Sequence, residues 1–361
     1  MTLHQAFTIA LIAVSASLVL LVLVTAARRV ANGRSAERRA RLEAEARPVL
    51  LAAIHEPGER SLEGLSRAQR HTLERLAAGL LGKLRGEDRA ALVEVLEAHG
   101  VLAEAVRHTR SRWALRRARA AELLGAAGWS PALWDLARLC TDRRAEVRLV
   151  AARALAKLGD PVAVPVLLAT LEPPARLPVG TVAMALARIT EGAAPRLRVA
   201  LASSAPQARA IAADLLGLHG AVVAVDELGV VLRDDPEAPV RAACARALGR
   251  IGSPRCVAPL LDAAGADPAD AVRAEAVGAL GLAGSPRAVP VLARALEEGT
   301  AEVSERAAAA LAVLGPKARS VLRLRRAVPG PAGERAGAAL ARAELADDGR
   351  RRRAPAARRA A

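Results

Sequence analysis

Residues 235–264 read DPEAPVRAACARALGRIGSPRCVAPLLDAA, and this stretch decides the fold because the chain repeats it. It returns at residues 267–296 as DPADAVRAEAVGALGLAGSPRAVPVLARAL, and residues 142–171 hold an earlier copy, DRRAEVRLVAARALAKLGDPVAVPVLLATL. Recurrence at a fixed period is the sequence signature of a repeat architecture. The sequence therefore predicts an array of similar structural units.

The period of the array is measured from the residue that closes the first apolar segment of each unit, here called the anchor. The anchors are Gly128, Gly159, Thr190, Gly220, Gly252, Gly284 and Gly315, and they are separated by 31, 31, 30, 32, 32 and 31 residues. A unit of this length holds two short helices and two turns. Because Thr190 replaces the glycine, the third unit is degenerate.

The residue pattern inside one unit predicts helices. Asp235 suits a helix N-cap and Pro236 suits the first helical turn. Apolar residues then recur at helical spacing from Val240 to Ile251, and Gly252 suits the end of the helix. Two such helices cannot bury their apolar faces alone, so neighbouring units must stack. We predict an all-α solenoid of about seven helix pairs.

A polar pattern accompanies the apolar one. An Asp lies six residues before an Arg in three units, and side chains of these types can bond to neighbouring turns, unit after unit. We predict that they form a structural ladder, not a catalytic site, which holds adjacent units in register. The predicted ladder residues are Asp142, Arg148, Asp235, Arg241, Asp267 and Arg273.

This pattern resembles the HEAT-like repeats of the phycobilisome-lyase type over residues 108–327. The matching residues of one unit are Asp267, Arg273, Ala276, Ala279, Leu280, Gly281, Gly284, Pro286 and residues 288–292, AVPVL. The resemblance implies a helical solenoid, a fold that proteins of many functions use as a surface.

Some proteins with similar repeats are enzymes, so the resemblance also implies an alternative. The deoxyhypusine hydroxylases bind two irons through His-Glu dipeptides in several repeats, and the one such dipeptide here, His55-Glu56, lies outside the array. No bilin site of the lyases can be carried over residue by residue. We predict a protein that is not an enzyme, with a bilin lyase or di-iron oxidoreductase as the alternative.

The N-terminal region predicts a membrane span. Residues 6–27, AFTIALIAVSASLVLLVLVTAA, carry no charge, and 22 residues of helix extend about 33 Å, enough to cross a bilayer core of about 30 Å. Arginines follow it and none precedes it, which predicts an N-terminus outside and repeats in the cytoplasm of the cell. A cleaved signal peptide is the alternative. The arginines, which are also predicted to contact anionic lipid, are Arg28, Arg29, Arg34, Arg38, Arg39 and Arg41.

The chain divides into four predicted regions. Residues 1–27 form the transmembrane helix, 28–106 a juxtamembrane charged helix and helical cap, 107–328 the solenoid, and 329–361 a basic, disordered tail that includes one more helix over residues 332–346. A single helix is predicted from Glu87 to Val106. Trp113, Trp129 and Trp134 are predicted to pack between the cap and the array, with a ligand or nucleobase platform as the alternative.

Charge is unevenly distributed along the array. The chain carries a formal net charge of +16, but residues 141–299 hold 18 basic and 17 acidic residues, whereas residues 300–361 hold 14 and 6. The positions six and two residues before each anchor share one helical face, and this face has two basic patches. The predicted partner-binding residues are Arg153, Lys157, Arg188, Arg246 and Arg250. We predict a protein partner, associated with the membrane and bearing an acidic patch.

Nucleic-acid binding through the basic ends is a further alternative, although a chain with no Tyr and one Phe has few platforms for base stacking. The six His have no metal-ligand spacing, the three Cys form no CxxC, and no phosphate loop or nucleophile elbow occurs. No catalytic, cofactor or metal site is predicted. The sequence predicts a bacterial, membrane-anchored scaffold that serves a membrane enzyme system.

Overall fold

The computed structural model describes residues 40–41, 43–45, 48, 72, 76–173 and 175–357, with side chains up to residue 347. All the regular structure in these residues is helical, which confirms the all-α prediction for them. The helices are α1 (Gly86–Ala98), α2 (Val101–His108), α3 (Ala114–Ala127), α4 (Leu133–Leu139), α5 (Ala145–Leu158), α6 (Ala163–Ala169), α7 (Val179–Leu186), α8 (Ala194–Ala200), α9 (Pro206–Leu218), α10 (Val225–Asp234), α11 (Ala238–Ile251), α12 (Val257–Ala266), α13 (Asp270–Ala283), α14 (Val289–Glu298), α15 (Ala301–Val313), α16 (Pro316–Arg326) and α17 (Pro331–Ala357).

The chain forms two compact units, residues 1–135 and residues 136–361. In the second unit, first helices (α5, α7, α9, α11, α13, α15) alternate with second helices (α6, α8, α10, α12, α14, α16). Each first helix from α9 to α15 packs along its neighbour in the next pair, whereas the second helices contact one another weakly. Within this unit the first helices thus form the more closely packed layer of the array.

Small residues make this close packing possible. A Cβ added to Gly217 on α9 would lie 2.5 Å from the Cα of Ala247 on α11, and one added to Gly249 would lie 2.6 Å from the Cβ of Ala279 on α13. A real Cβ cannot approach so closely, so the first helices are held at a separation that only glycine facing alanine allows. This spacing sets the distance between the surface residues of successive units.

The predicted anchors end the first helices in a left-handed turn. Gly159, Gly252 and Gly284 have φ values of 73°, 64° and 68°, a conformation that glycine adopts without steric cost. The third unit departs from this pattern because its anchor is Thr190, and a threonine does not readily adopt a positive φ. Gly192, two residues later, has the positive φ in this unit, at 66°. Its first helix, α7, has 8 residues, against 14 in α5.

The helix starts differ from the sequence-based prediction. The N-cap of α11 is Glu237, and the helix begins at Ala238, three residues after the predicted cap Asp235. Asp235 instead ends α10, and its Oδ1 accepts a hydrogen bond of 2.9 Å from the backbone N–H of Glu237. The carboxylate therefore orders the turn between the two helices, and both of its oxygens can also accept from another unit.

Both flanking regions are also corrected. The helix predicted from Glu87 to Val106 is divided, because Gly100 adopts a φ of 69° between α1 and α2. The helix predicted over residues 332–346 of the C-terminal region is present as α17, which begins at Pro331 and continues to Ala357 through residues predicted to be disordered. It lies on α15 and α16 and buries Ala332, Ala336, Ala339 and Leu340.

The predicted membrane span, residues 6–27, lies outside the described residues. Among the helices that the structure does describe, none is long and apolar enough to cross a bilayer.

Candidate partner-binding surface

The first helices present one exposed edge at their C-terminal ends. We call this edge the inner row and define it by the residues two positions before each anchor from the second unit onward. They are Lys157, Arg188, Leu218, Arg250, Leu282 and Val313, and all six are exposed. The helical period puts the residue four positions earlier on the same face. The same face therefore also includes Arg153 and Met184, one helical turn before Lys157 and Arg188.

One end of the inner row is basic. Arg153 and Lys157 lie one turn apart on α5, and Arg188 follows the end of α7. All three side chains are exposed, and none has an acidic partner among the described residues. Three uncompensated cations on two successive units attract an anionic group on a partner.

Beyond Arg188 the inner row is apolar at every position except Arg250. The side chains of Leu218, Leu282 and Val313 keep between 60% and 71% of their surface exposed, and Met184, one turn before Arg188 on α7, keeps 75%. A single exposed apolar residue is ordinary, but apolar residues that recur on one edge of successive helices mark an interaction surface.

Arg246 and Arg250, predicted from the sequence as a second basic patch, lie in an ion-pair network. Arg246 Nε and Nη2 donate to the Asp214 carboxylate at 2.9 and 3.2 Å, and its Nη1 lies 3.2 Å from Glu275. The hydrogen bond to Asp214 raises the pKa of Arg246. Arg250 Nη1 lies 3.4 Å from the same Asp214.

This network extends along the layer of first helices. Glu275 on α13 also pairs with Arg306 on α15, at 3.3 Å. Charges of alternating sign therefore connect α9, α11, α13 and α15. The charge of Arg246 is compensated, so this part of the face does not present the basic patch that was predicted. The pairs form because the close packing of the helices brings together residues that are 29 to 36 positions apart, which a single-helix projection cannot show.

The Asp–Arg ladder lies at the opposite, N-terminal ends of the first helices. Arg241 Nε and Nη2 donate to Asp267 Oδ2 and Oδ1 of the next unit at 2.8 and 3.0 Å, and Arg209 binds Asp235 in the same way at 2.7 and 3.0 Å. Arg241 Nη1 donates to the carbonyl of Asp235 at 2.8 Å. Each guanidinium therefore joins its own turn to the next unit.

The ladder carboxylates are held in their charged form. Burial alone would raise the pKa of Asp235, but the hydrogen bonds from Arg209 and from the backbone N–H of Glu237 outweigh it, and the pKa is lowered. The side chains of the pair formed by Arg241 and Asp267 are only 10% and 6% exposed. A bidentate pair at this depth fixes the register of neighbouring helix pairs.

The ladder ends where the next unit has no Asp. Arg148 Nη1 donates to the carbonyl of Asp142 at 2.9 Å, but its buried Nε has no hydrogen-bond partner among the described residues. Asp142 Oδ1 accepts from the backbone N–H of Arg144 at 2.9 Å. Arg273 donates to the carbonyl of Asp267 at 2.7 Å and turns to Asp270 on its own helix.

In the last unit an Arg from outside the repeat, Arg335, binds at the ladder position, and the sequence did not predict this contact. Ser304 replaces the Arg, and its hydroxyl donates to the carbonyl of Leu296 at 2.7 Å. Arg335 Nη1, from α17, donates to Ser304 Oγ at 3.2 Å. The Arg comes from outside the repeat pattern, so its period gave no signal for it.

The described residues hold buried thiols and no metal cluster. Cys140, Cys244 and Cys256 are buried, and burial raises the pKa of Cys140 and Cys244 to about 12. Thiols with raised pKa values are poor nucleophiles. No group of three or more His, Cys, Asp or Glu that could hold a metal ion occurs in the part of the chain that the structure describes.

Two of the three tryptophans are not packed as predicted. Trp113 and Trp134 are exposed, and the guanidinium of Arg112 lies 4.9 Å from the ring centre of Trp113. Trp113 is the extended N-cap residue of α3, so its side chain lies outside the apolar face of that helix.

Comparison with protein families agrees with this architecture. The model of HEAT repeats matches residues 193–276, 225–312 and 257–358, and the model of the PBS lyase HEAT-like repeat matches residues 147–173. The matches together cover more than half of the chain. The chain therefore belongs to the HEAT-repeat proteins, as the sequence resemblance predicted, and its repeats form a helical solenoid.

Comparison with solved structures gives matches at low identity and low TM-score. Human deoxyhypusine hydroxylase in complex with glycerol is 18% identical with a TM-score of 0.32, covering 84% of this chain and 97% of that one. The complex of CpcE and CpcF of phycocyanin lyase from a Nostoc species is 20% identical with a TM-score of 0.26, covering 80% and 97%. The karyopherin Kap121p bound to the extreme C-terminus of the protein phosphatase Cdc14p is 14% identical with a TM-score of 0.39, covering 81% and 43%. No curated protein sequence matches the chain.

Proposed function

We propose that this protein is a non-enzymatic scaffold, tethered to the cell membrane by residues 6–27, that binds a membrane-associated protein on the cytoplasmic side. The observation that carries the proposal is the inner row. It puts uncompensated cations on α5 and just after α7 beside exposed apolar residues on α9, α13 and α15. HEAT repeats are surfaces that present such rows to other proteins.

The tether rests on the sequence. Residues 6–27 are uncharged and long enough to span a bilayer, and the arginines that follow favour a cytoplasmic array. A scaffold held in this way meets its partner at a raised effective concentration in the membrane. A membrane enzyme system, such as one that builds the cell envelope, is the class of client that this placement serves.

The test is capture from native membranes with matched charge reversals. The variant Arg153→Glu/Lys157→Glu removes two free cations from the inner row, and Arg287→Glu/Arg294→Glu makes the same change in net charge on exposed residues at the second-helix side. We expect crosslinking and pulldown to lose the partner with the first variant and to keep it with the second. Equal capture by both would contradict the inner row as the binding surface.

A chain without residues 1–27 tests the tether separately. We expect it to leave the membrane fraction and to capture the same partner less efficiently. If it stays in the membrane fraction, the proposed span is not what holds the protein there.

A further inference from the structure

The strongest unexplained surface is the exposed face of α16, the last second helix. This helix, Pro316–Arg326, carries five cations and no acidic residue in 11 positions. The other second helices of the unit carry an acidic residue or at most two cations. Because α17 covers α15 and part of α16, the remaining face of α16 is the exposed side of the array at this end.

Two of the five cations have structural partners. Arg319 Nη1 pairs with Asp347 on α17 at 2.7 Å, and Arg325 Nε lies 3.7 Å from Glu297 on α14. These two residues attach α16 to its neighbours. Their side chains are correspondingly less exposed, at 24% and 23%.

The other three cations, Lys317, Arg323 and Arg326, are exposed and have no acidic partner among the described residues. Leu324 lies between two of them and is 75% exposed, and Val328, just beyond the helix, is 48% exposed. Ala318 and Leu322 are buried, and Arg326, whose Cγ lies 3.6 Å from the Cβ position of Gly337 on α17, borders them. We call Lys317, Arg323, Leu324, Arg326 and Val328 the α16 face.

We propose that the α16 face binds an anionic lipid surface. A helix that lies in the plane of a membrane interface inserts apolar side chains between the head groups, while Lys and Arg reach the phosphates. The α16 face has both components, an exposed leucine and three cations that no protein carboxylate neutralises. The inference rests on the proposed function in one respect, which is that the tether keeps the array beside a membrane.

The composition of the helix favours lipid over nucleic acid. A single-stranded nucleic acid needs aromatic platforms on which its bases stack, and the sequence of α16, PKARSVLRLRR, has none. An exposed leucine between arginines adds nothing to the binding of a phosphate backbone. In a bilayer interface the same leucine is buried among acyl chains.

The experiment uses the full chain with a reporter on this face. Ser320 is exposed on α16, and Ser320→Cys can be labelled with an environment-sensitive fluorophore because Cys140, Cys244 and Cys256 are all buried. The labelled chain is reconstituted in nanodiscs of phosphatidylcholine, with or without phosphatidylglycerol. Lipids with spin-labelled head groups serve as quenchers.

We expect the label to be quenched strongly in discs that contain phosphatidylglycerol and weakly in discs of phosphatidylcholine alone. Raised salt should reverse the effect because it screens exposed charges. Each cation near an anionic surface contributes about fivefold to binding. The variant Lys317→Gln/Arg323→Gln/Arg326→Gln should therefore shift the contact equilibrium by about a hundredfold, and Leu324→Ser should also reduce quenching.

Controls separate the α16 face from charge in general. Arg287→Gln/Arg294→Gln removes exposed cations outside α16 and should leave quenching unchanged. An unchanged circular dichroism spectrum shows that the triple variant is folded. Quenching that is equal with and without phosphatidylglycerol, or that is unchanged in the triple variant, would overturn the proposal. A fluorescence response to a single-stranded oligonucleotide in place of the lipid would also overturn it.

The same chain distinguishes failure of this proposal from failure of the tether. If it does not enter nanodiscs, the span over residues 6–27 is contradicted, and vesicles of the two compositions are then added to the labelled chain. A response confined to phosphatidylglycerol vesicles would support the α16 face without the tether. No response to either would overturn it.

Discussion

At the residue scale, two kinds of ionic contact have different consequences. The pair of Arg241 and Asp267 is buried and bidentate, whereas both side chains of the pair of Arg255 and Asp226 are exposed. Removing one member of a buried pair leaves a charge without compensation, but an exposed charge remains solvated by water. The buried ladder is therefore where a single substitution affects the array most.

Asp267→Asn tests this difference. The substitution keeps the size of the side chain but leaves the Arg241 guanidinium buried without its counter-charge, and we expect a loss of about 3 kcal/mol in the free energy of unfolding. The matched change Asp226→Asn in the exposed pair should cost about 0.5 kcal/mol or less. Urea denaturation of both variants measures the difference. Equal midpoints would show that the ladder does not stabilise the array.

His219 predicts a pH dependence of stability. Both ring nitrogens are buried without a hydrogen-bond partner in the described structure, and burial lowers the pKa from its usual 6.5. The unfolded chain therefore binds the proton first, so stability is complete above pH 6.5 and falls as the pH drops from there toward the lowered pKa of the folded state.

His219→Leu should remove this dependence, because the equivalent position in other units is apolar, as at Ile251. The midpoint of thermal unfolding, measured between about pH 7.5 and 5 around the usual pKa of histidine, should then vary less than in the unchanged chain. The exposed His99→Gln is the control and should keep the dependence. An identical pH profile for the His219 variant would contradict the assignment.

At the element scale, the spacing of the first helices decides the geometry of both the ladder and the inner row. A Cβ on Gly249 would lie 2.6 Å from the Cβ of Ala279, whereas a Cβ on Gly278 would have only Arg306 Nη1 within reach, at 3.7 Å. Both glycines lie inside first helices. They therefore separate the effect of helix contact from that of helix propensity.

We expect Gly249→Ala to destabilise the array by about 1–3 kcal/mol, because α11 and α13 must separate to admit the methyl group. Gly278→Ala should be neutral or stabilising by roughly 0.5–1 kcal/mol, since alanine favours the helix and meets no neighbour. Chemical denaturation of the two variants distinguishes these outcomes. A stabilising Gly249→Ala would mean that the helices are not in tight contact.

At the scale of the whole molecule, α17 closes the end of the array. A solenoid needs a cap because its last helix pair would otherwise expose an apolar face. Here Ala336 and Leu340 are buried against α15 and α16, and Arg335 reaches Ser304. The C-terminal region is therefore structural up to at least Asp347, which pairs with Arg319.

Ending the chain at residue 329 should lower the thermal midpoint and increase the binding of a dye that reports exposed apolar surface. A chain that ends at residue 347 keeps the buried contacts of α17 and is the matched control. We expect it to unfold close to the unchanged protein. If both truncations behave alike, α17 does not act as a cap.

The sequence by itself determined the repeat, its period and its helical nature, because apolar periodicity and glycine anchors are local features that are present in each unit independently of the others. It also marked the Asp and Arg residues of the ladder. The degenerate third unit was visible in Thr190, although the compensating Gly192 was not. The helix starts were displaced because a side-chain turn at Asp235 has the same residue preference as an N-cap.

Only the tertiary structure decided which charges are available to a partner. Arg153 and Arg246 occupy equivalent positions in their units, yet Arg153 is free among the described residues and Arg246 is paired with Asp214 and Glu275. The partners lie on neighbouring helices about 30 residues away, so their contact depends on the close packing of α9, α11 and α13. A repeat pattern specifies each helix, but the charge of a surface results from the distances between helices.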